Sequence, residues 1–274
     1  MISFPNCKIN LGLRILNRRA DGYHNLISVF YPVQWCDALE FIESAVFSFE
    51  SGGLKIDGSA EDNLCAKAYR LLQKLYALPP VMIALLKNIP MGAGLGGGSA
   101  DGAFMLKMLS EYFKLNLSGV ELKSHALQLG SDCPFFLENK PKLVTGKGEL
   151  LETIAIDLSA FHAVIIYPEI AINTASAFRE YAKAANKIAP DALVNFREVL
   201  KLPILQWKDF LLNDFEPVVV KQYPEIGRIK KQLYDAGALY ASMSGSGSAV
   251  YGIFQDKPDP VSIVKNGRTY TGKF

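Results

Sequence analysis

The chain has 274 residues, of which half are hydrophobic, so it can form one large or two moderate domains with hydrophobic cores. The net charge of +2 argues against nucleic acid or an anionic membrane surface as a partner. Four widely spaced cysteines and three histidines argue against a zinc site and a disulfide framework. With no signal-peptide pattern and no long apolar run, we expect a soluble, cytoplasmic protein without a transmembrane helix.

The first third of the chain has the pattern of strands followed by one helix. Residues 8–16, KINLGLRIL, alternate apolar and polar side chains, which predicts a half-buried strand. The Asp21-Gly22 pair in the following segment, RADGYH, predicts a hairpin turn. Two further β-like segments come next, LISVFYPVQW and LEFIESAVFSFE, and residues 63–76 then carry apolar side chains at helical spacing.

The middle of the chain predicts a strand, a glycine-rich loop and a helix, in that order. VMIALL is a short apolar run typical of a buried strand, and it leads through Pro90 into the loop. Apolar residues from Phe104 to Tyr112 then recur at helical spacing, and a further helix is expected over about 118–129.

The segment GKGELLETIAIDLSAF predicts a hairpin and a linker, and we place a domain boundary near residue 152. The expected domains are therefore residues 1–152 and 153–274. The second domain contains the strand HAVIIYP, several helices and, near its end, the alternating strand AVYGIF.

Six glycines lie between Gly92 and Gly102, where a helix is expected to begin. A glycine-rich turn at a helix N-terminus presents unpaired backbone N–H groups and the positive end of the helix dipole, which together suit phosphate. Glycine is needed because a Cβ atom would hold phosphate oxygens away from the amides. Ser99 is expected to cap the helix and to offer its hydroxyl to phosphate or Mg²⁺. The alternative is an N-capped helix after a flexible loop.

Two common phosphate-binding motifs do not fit this loop. Residues 92–97 match the dinucleotide pattern G-x-G-x-x-G, but the segment YFKLNLSG, where an acidic residue should follow, has no acid. The P-loop pattern needs a lysine directly after its last glycine, and the sequence has none between Lys87 and Lys107.

Three ordered motifs carry a family resemblance. PMGAGLGGGSAD (90–101) resembles the second motif of the GHMP kinases, PNCKINLGL (5–13) their N-terminal motif, and SMSGSGSAVYGIF (242–254) their C-terminal glycine-serine loop. The resemblance implies an α+β fold with an N-terminal nucleotide-binding domain and a C-terminal domain that closes the substrate cleft. It also implies phosphoryl transfer from ATP, with Mg²⁺, to an alcohol group of a small molecule.

The remaining motifs resemble one branch of this superfamily, which phosphorylates the 2-hydroxyl of 4-diphosphocytidyl-2-C-methyl-D-erythritol in the non-mevalonate isoprenoid pathway. The segments concerned are RADGYHNL, DNL (62–64), GSDCPFF, TGKGE and NDFEPVV, and DGYH is the most discriminating. The alternatives are another GHMP kinase, of the mevalonate or homoserine type, or a nucleotide-binding module without catalysis. We expect a monomer or weak homodimer, with neither nucleic acid nor a membrane as partner.

The resemblance implies a catalytic pair. It identifies Asp132 as the general base that takes the hydroxyl proton in phosphoryl transfer, and Lys8 as its partner. An ammonium close to the carboxylate would keep it ionised. Without the resemblance, Asp132 would be interpreted as a turn or helix-cap residue and Lys8 as a solvated strand residue.

The resemblance also implies residues that bind ATP. Asn63 is expected at the adenine end, although helix capping would explain it equally well. Asp101 is expected to point away from the phosphates. Ser99 is the expected Mg²⁺ contact. The loop residues implied are Pro90, Met91, Gly92, Ala93, Gly94, Leu95, Gly96, Gly97, Gly98, Ser99 and Ala100.

Five residues are implied at the substrate. Tyr23 and His24 would receive the cytosine, and Asn10 would lie near the methylerythritol hydroxyls. Thr174 and Phe178, four residues apart on one helix face, would line the far wall of the cytidine pocket, with Phe178 as a second stacking ring. A place in the hydrophobic core would explain Phe178 equally well.

Overall fold

A computed structural model describes residues 1–184, 195–258 and 267–274 of the chain. The chain forms two compact units, each built from separate stretches. The first unit contains Met1–Cys7, Trp35–Met91 and Gly96–Lys140, and the second contains Lys8–Gln34, Gly92–Leu95 and Pro141–Phe274. The domain boundary expected near residue 152 stays a prediction.

The elements are numbered in chain order. The strands are β1 (Ile2–Ser3), β2 (Asn6–Arg18), β3 (His24–Cys36), β4 (Ala38–Glu43), β5 (Ser48–Gly53), β6 (Val81–Lys87), β7 (Lys142–Thr145), β8 (Leu150–Thr153), β9 (His162–Tyr167), β10 (Tyr240–Met243), β11 (Val250–Phe254) and β12 (Arg268–Lys273). The helices are α1 (Leu64–Tyr76), α2 (Gly97–Tyr112), α3 (Gly119–Leu129), α4 (Cys133–Glu138), α5 (Thr174–Ala184), α6 (Phe196–Val199), α7 (Glu216–Gln222) and α8 (Pro224–Asp235).

The first unit combines a four-stranded sheet with helices α1–α4. The strand order is β1-β4-β6-β5, in which β4 pairs antiparallel and β5 parallel with β6. Alternate side chains of β4 and β6 are buried, as the period of two requires; Leu39 and Phe41 of β4 belong to the core. The strand expected from VMIALL is confirmed as β6.

Two helices of the first unit begin at polar caps, of which the sequence indicates the one at Asn63. The Asn63 side chain accepts a hydrogen bond of 2.8 Å from the Cys65 N–H at the start of α1. Ser118 and Glu121 form a capping box at the start of α3. The helices expected over 63–76 and about 118–129 are therefore confirmed.

The second unit contains two four-stranded sheets and helices α5–α8. One sheet has the order β2-β3-β7-β8, and the other has the order β10-β11-β9-β12. The strands expected at residues 8–16, in HAVIIYP and in AVYGIF are confirmed as β2, β9 and β11. The hairpin expected from GKGELLET is confirmed as the antiparallel pair β7 and β8.

The core of the second unit combines an early strand with residues from the second half of the chain. Leu13 and Ile15 of β2 share a cluster with residues of β9, α7, α8, β10 and β11, including Ile166, Phe215 and Ile229. Phe178 of α5 packs against this cluster. The N-terminal strand is therefore an integral part of a core formed mainly by the last third of the chain.

Within the part of the chain that the structure describes, no helix combines the length and the apolar character needed to cross a lipid bilayer.

Candidate functional site

The glycine loop, residues 90–98, leads from β6 into the first residues of α2. Its backbone alternates between left-handed and right-handed conformation. Gly92, Gly94 and Gly96 have φ angles of 66°, 77° and 72°, in the left-handed region. Ala93 and Leu95, which lie between them, keep the ordinary negative φ. Alternation of the two backbone hands turns successive N–H groups toward one side and forms a concave nest that suits an anion.

The carbonyl groups of this loop are engaged by the protein. The Ala93 oxygen accepts from the Ala249 N–H at 3.0 Å, and the Leu95 oxygen accepts from the Lys8 N–H at 2.9 Å. The Gly94 oxygen accepts from the Ser244 hydroxyl at 2.9 Å. These bonds fix the acceptor side of the loop against its own unit.

The donor side of the loop is different. Among the hydrogen bonds of the described residues, none is donated by the N–H of Gly94 or by the N–H groups of residues 96–99. The N–H groups in the first turn of α2 have no partner within the helix and lie at the positive end of its dipole. The loop therefore presents donors without acceptors, which is the arrangement that a triphosphate requires.

Space around the glycines differs from position to position. A Cβ on Gly94 would overlap the carbonyl oxygen of Ser244, and a Cβ on Gly97 would lie 2.8 Å from Cγ2 of Ile89. A Cβ on Gly98 would have no protein atom within 4 Å. Gly94 and Gly97 are thus needed for packing, whereas the space beside Gly98 is open.

The expectation that Ser99 caps α2 is wrong. Gly96 is the N-cap residue, and Ser99 lies three residues further, inside the first turn. Pro90 and Met91 lead from β6 into the loop, and Ala100 is buried in the helix. The helix begins earlier than expected because Gly97 and Gly98 adopt helical conformation despite their high conformational freedom.

Burial raises the pKa of the Cys133 thiol to about 12, although the nearby Ser99 hydroxyl acts in the opposite direction. Cys133 therefore stays a neutral thiol beside Ser99. Among the described residues, no group of three or more His, Cys, Asp and Glu could hold a metal ion. A Mg²⁺ ion at this loop would accordingly take most of its ligands from phosphate oxygens and water, with the half-buried Ser99 hydroxyl as a protein contact.

A buried cluster of three charges lies at the base of α2 in the first unit. The Lys87 ammonium contacts the carboxylates of Asp37 and Asp101, the latter at 2.8 Å, and all three residues are buried. Asp37 also accepts from the N–H groups of Asn88 and Ile89, at 2.6 Å and 2.8 Å. The cluster ties the end of β6 to the first turns of α2.

The cluster contains one lysine and two carboxylates, so the cluster has one excess negative charge. Burial raises the pKa of Asp101 to about 7, although Lys87 acts in the opposite direction. Asp101 is buried and pairs with Lys87, and its expected orientation away from the phosphates stays a prediction. In the sequence, Asp37 and Lys87 are marked only as charged residues at the ends of apolar strands.

Lys8 and Asn10 lie on β2 in the second unit, close to the glycine loop. The Lys8 ammonium donates to the Asn10 side-chain oxygen at 2.6 Å and to the Gly94 carbonyl at 3.4 Å. It also lies 4.2 Å from the ring centroid of Phe30. The side chains of Lys8 and Asn10 are almost fully buried, so the interpretation of Lys8 as a solvated strand residue is wrong.

Asp132 lies in the first unit at the N-terminus of α4. It occupies the N-cap position, but its side chain makes no capping hydrogen bond to the helix. The interpretation of Asp132 as a turn and helix-cap residue is thus confirmed for its position, although the cap is formed without its half-buried carboxylate.

The aromatic residues expected at the cytosine lie around the start of β3. The rings of His24 and Phe178 stack with centroids 5.1 Å apart and an interplanar angle of 14°. Phe178 also packs edge-on against Phe215, with centroids 4.8 Å apart. Phe178 thus packs against the hydrophobic core and also supports the ring of His24. Since the two rings are in contact, a base does not fit between them.

Tyr23 and Thr174 are exposed near this stack. The Tyr23 side chain is 59% exposed, and the Lys147 ammonium lies 4.9 Å from its ring centroid. The Thr174 hydroxyl shares a hydrogen bond of 2.9 Å with Ser246. Burial and the nearby Arg18 lower the pKa of His24, so its imidazole is neutral at pH 7 and can both donate and accept.

Comparisons with known proteins identify the family. A model of the GHMP kinases N terminal domain matches residues 63–140, and one of the GHMP kinases C terminal region matches residues 196–270. A Bacteroides thetaiotaomicron protein named 4-diphosphocytidyl-2-C-methyl-D-erythritol kinase is 49% identical, over 93% of this chain and 92% of its own. One of the same name from Azobacteroides pseudotrichonymphae is 44% identical, over 95% and 96%.

Solved structures show the same fold. A crystal structure of 4-(cytidine 5'-diphospho)-2C-methyl-D-erythritol kinase is 27% identical, with a TM-score of 0.81 over 99% of this chain and 98% of its own. A crystal structure of mevalonate kinase, 14% identical, has a TM-score of 0.72 and covers 99% and 98% of the two chains. The two-domain α+β fold expected from the sequence is therefore confirmed. With relatives 44–49% identical over nearly its whole length, the chain belongs to the 4-diphosphocytidyl-2-C-methyl-D-erythritol kinase family of the GHMP kinases.

Proposed function

We propose that the protein transfers the γ-phosphoryl group of ATP to the 2-hydroxyl of 4-diphosphocytidyl-2-C-methyl-D-erythritol, giving ADP and the 2-phosphate, as a step of the non-mevalonate isoprenoid pathway. The observation that carries the proposal is the glycine loop, whose carbonyls are engaged while its amides are left to bind phosphate. The names of the relatives support the choice of alcohol.

ATP is bound with its triphosphate on the glycine loop and its adenine near Asn63. Asn63 already uses its side-chain oxygen to cap α1, so its amide NH₂ group remains to contact the base. Ser99 contributes its hydroxyl to Mg²⁺. When bound, the metal would neutralise charge on the β- and γ-phosphates.

Asp132 acts as the general base and accepts the proton of the 2-hydroxyl on a carboxylate oxygen. Lys8 carries a positive charge that favours the ionised carboxylate and stabilises negative charge at the transferring phosphoryl group. The support for the role of Lys8 is its buried ammonium, which donates to the Gly94 carbonyl of the glycine loop. The support for the role of Asp132 is its half-buried carboxylate, which is not used to cap α4.

The cytosine is recognised by Tyr23 and His24. A neutral imidazole can hydrogen-bond the edge of the base, and the exposed Tyr23 ring offers a stacking face. Phe178 supports the His24 ring from behind instead of enclosing the base. Thr174 lines the same pocket, and Asn10 contacts the methylerythritol hydroxyls.

We infer further that the protein acts in the cytoplasm, as a monomer or weak homodimer, on a small molecule. Sedimentation velocity at several protein concentrations measures the association directly.

The test is phosphate transfer from ATP to the diphosphocytidyl substrate, with mevalonate, homoserine and galactose as controls. We expect efficient transfer to the first alone. Transfer to a control alcohol instead would identify another GHMP kinase. ATP binding without transfer to any of the four would identify a nucleotide-binding module.

A further inference from the structure

The motif NDFEPVV (213–219) forms a turn and the start of α7, and the polar side chains of the turn are buried. Asn213 and Asp214 are only 4% and 9% exposed. Burying polar groups costs free energy unless each forms hydrogen bonds, so the partners of these residues indicate what the turn is for. Asp214 binds β2: it accepts from the Ile15 N–H at 2.7 Å and pairs with Arg14 at 2.9 Å. Asn213 binds a different segment.

The Asn213 amide group makes all the hydrogen bonds that its geometry allows on the donor side. Its NH₂ group donates to the carbonyl oxygens of Met243 and Gly245, both at 2.8 Å. Its oxygen accepts from the Phe215 N–H at 2.9 Å, which fixes the orientation of the amide. Only an amide side chain combines two donors with one acceptor in this arrangement.

The two carbonyls that Asn213 binds flank Ser244, the first residue of the serine loop (residues 244–248). Ser244 contacts the glycine loop directly: its hydroxyl donates to the Gly94 carbonyl and accepts from the Asn10 N–H at 3.3 Å. The backbone of Gly245 is equally close, since a Cβ placed there would lie 3.3 Å from the Gly94 carbonyl oxygen. Asn213 therefore holds the serine loop at the point where that loop holds Gly94.

Glu216, the first residue of α7, reinforces this arrangement. The Glu216 carboxylate accepts from the Met243 N–H at 3.0 Å and pairs with Lys230. Met243 is thus fixed at its N–H by Glu216 and at its carbonyl by Asn213. The end of β10 enters the serine loop with a defined path.

We propose that Asn213 is a positioning residue for the phosphate-binding backbone, and that it acts through Ser244. It fixes the carbonyls on both sides of Ser244, so that the Ser244 hydroxyl orients the Gly94 peptide and with it the nest that receives ATP. This role rests on the proposed binding of ATP at the glycine loop.

The test compares three variants with the wild type. Asn213→Ala removes both donors, and Ser244→Ala removes only the hydroxyl that reaches Gly94. Asp214→Ala is the matched control, because it removes a buried hydrogen-bonding side chain from the next position of the same turn without touching the serine loop. For each protein we would measure kcat/KM for ATP, the melting temperature, and the rise in melting temperature that ATP produces.

Misplacement of a reacting group by about 1 Å can cost on the order of 10²-fold in rate. We therefore expect Asn213→Ala and Ser244→Ala each to lower kcat/KM for ATP by roughly 10-fold to 10²-fold and to reduce the ATP-induced rise in melting temperature. Asp214→Ala should lower the melting temperature to a similar extent and change kcat/KM by less than about threefold. In the double variant, kcat/KM for ATP should lie no more than about threefold below that of the less active single variant, since the two residues act in series.

Three results would overturn the proposal: wild-type kcat/KM in Ser244→Ala, an equal loss of kcat/KM in Asp214→Ala, or multiplicative losses in the double variant. If Asn213→Ala does not fold, Ser244→Ala decides alone. A wild-type protein that fails to bind ATP would count against the proposed function instead, which keeps the two failures distinct.

Discussion

Asp132 shows at the scale of one residue how position and role can differ. It occupies the N-cap of α4, yet its side chain leaves the helix uncapped. Asp132→Asn keeps the shape of this side chain but cannot accept the proton of the 2-hydroxyl. We expect kcat to fall by at least roughly 10²-fold with little change in KM for ATP, because removal of a general base costs about 10²–10⁴ in rate. Single-turnover phosphorylation at saturating substrates measures this.

Lys8→Ala provides the comparison for that prediction. It should lose activity to a comparable extent, and the double variant should lose far less than the product of the two effects, since both act on one step. If Asp132→Asn kept more than about a tenth of the wild-type rate, the base would have to be sought elsewhere.

His24 gives a prediction about pH. Its pKa lies below the ordinary 6.5, because burial and Arg18 both disfavour the charged ring. A bound cytosine would remove the ring further from water, so binding should select the neutral form. KM for the cytidyl substrate should therefore be constant between about pH 7 and 8 and should rise as the pH falls below 6.5, while KM for ATP follows neither trend. Steady-state kinetics from about pH 5.5 to 8 measures both constants.

His24→Gln serves as the control, because it keeps a hydrogen-bonding side chain that does not titrate. Its KM for the cytidyl substrate should be raised but independent of pH. The same pH dependence in the variant and the wild type would exclude His24 as its source.

The single residues that the sequence could predict are those with local signals or a motif. Asn63 precedes an apolar helix, and Thr174 and Phe178 are four residues apart in one helix, so their local geometry follows from chain spacing. The cluster of Lys87, Asp37 and Asp101 has no such signal. Its members are 14 to 64 positions apart in the sequence, and only the packing of β6 against α2 and the end of β3 brings them together.

At the scale of an element, the glycine loop separates packing from binding. Gly98 is in helical conformation, and a Cβ there meets no protein atom within 4 Å. Gly98→Ala should stabilise the protein by roughly 0.5–1 kcal/mol, because glycine loses more conformational entropy on folding than alanine does. It should also weaken ATP binding about tenfold, or about 1.4 kcal/mol, because the methyl group would occupy space beside the phosphate-binding amides. Thermal melting and calorimetric titration with ATP measure the two effects separately.

Gly94→Ala is the matched comparison within the same loop. Its φ of 77° and its approach to the Ser244 carbonyl leave no room for a methyl group, so the fold itself should be destabilised. Unchanged ATP affinity in Gly98→Ala would place the phosphates away from the first turn of α2.

The elements around the loop could be predicted, but the start of α2 could not. Strands β2, β6, β9 and β11 and helices α1 and α3 follow from periodicity and caps. Because six of eleven residues are glycine, the side-chain pattern that marks a helix N-terminus is missing. Ser99 is a residue type favoured at N-caps, so the sequence predicts the cap there. The structure places the cap on Gly96, where the left-handed φ of 72° ends the nest.

At the scale of the whole molecule, neither compact unit is one continuous stretch of the chain. The second unit takes β2 and most of β3 from the N-terminal part of the chain. A fragment of residues 153–274 would lack Leu13 and Ile15 of its core, and Asp214 would lose its partner on β2. We expect this fragment to lack a cooperative melting transition and near-ultraviolet circular dichroism.

Co-expression with residues 1–152 should restore both signals, because it returns the missing strands. A fragment 153–274 that melted cooperatively on its own would show that the boundary near residue 152 also separates independently folding parts. The sequence motifs locate the two family regions along the chain, but they cannot tell which early strands complete the later core.

The donors that we propose to bind phosphate in the glycine loop are main-chain amides, and this has a practical consequence for mutagenesis and for inhibitor design. An alanine scan adds or removes side-chain atoms but leaves every N–H in place, so it measures crowding around the triphosphate and misses the recognition itself. Proline, or an amide-to-ester replacement introduced by semisynthesis, is the change that deletes one donor at a time. For the same reason, point mutations cannot easily abolish contacts between an anionic inhibitor and these amides, so resistance should arise instead at residues that contact the rest of the inhibitor.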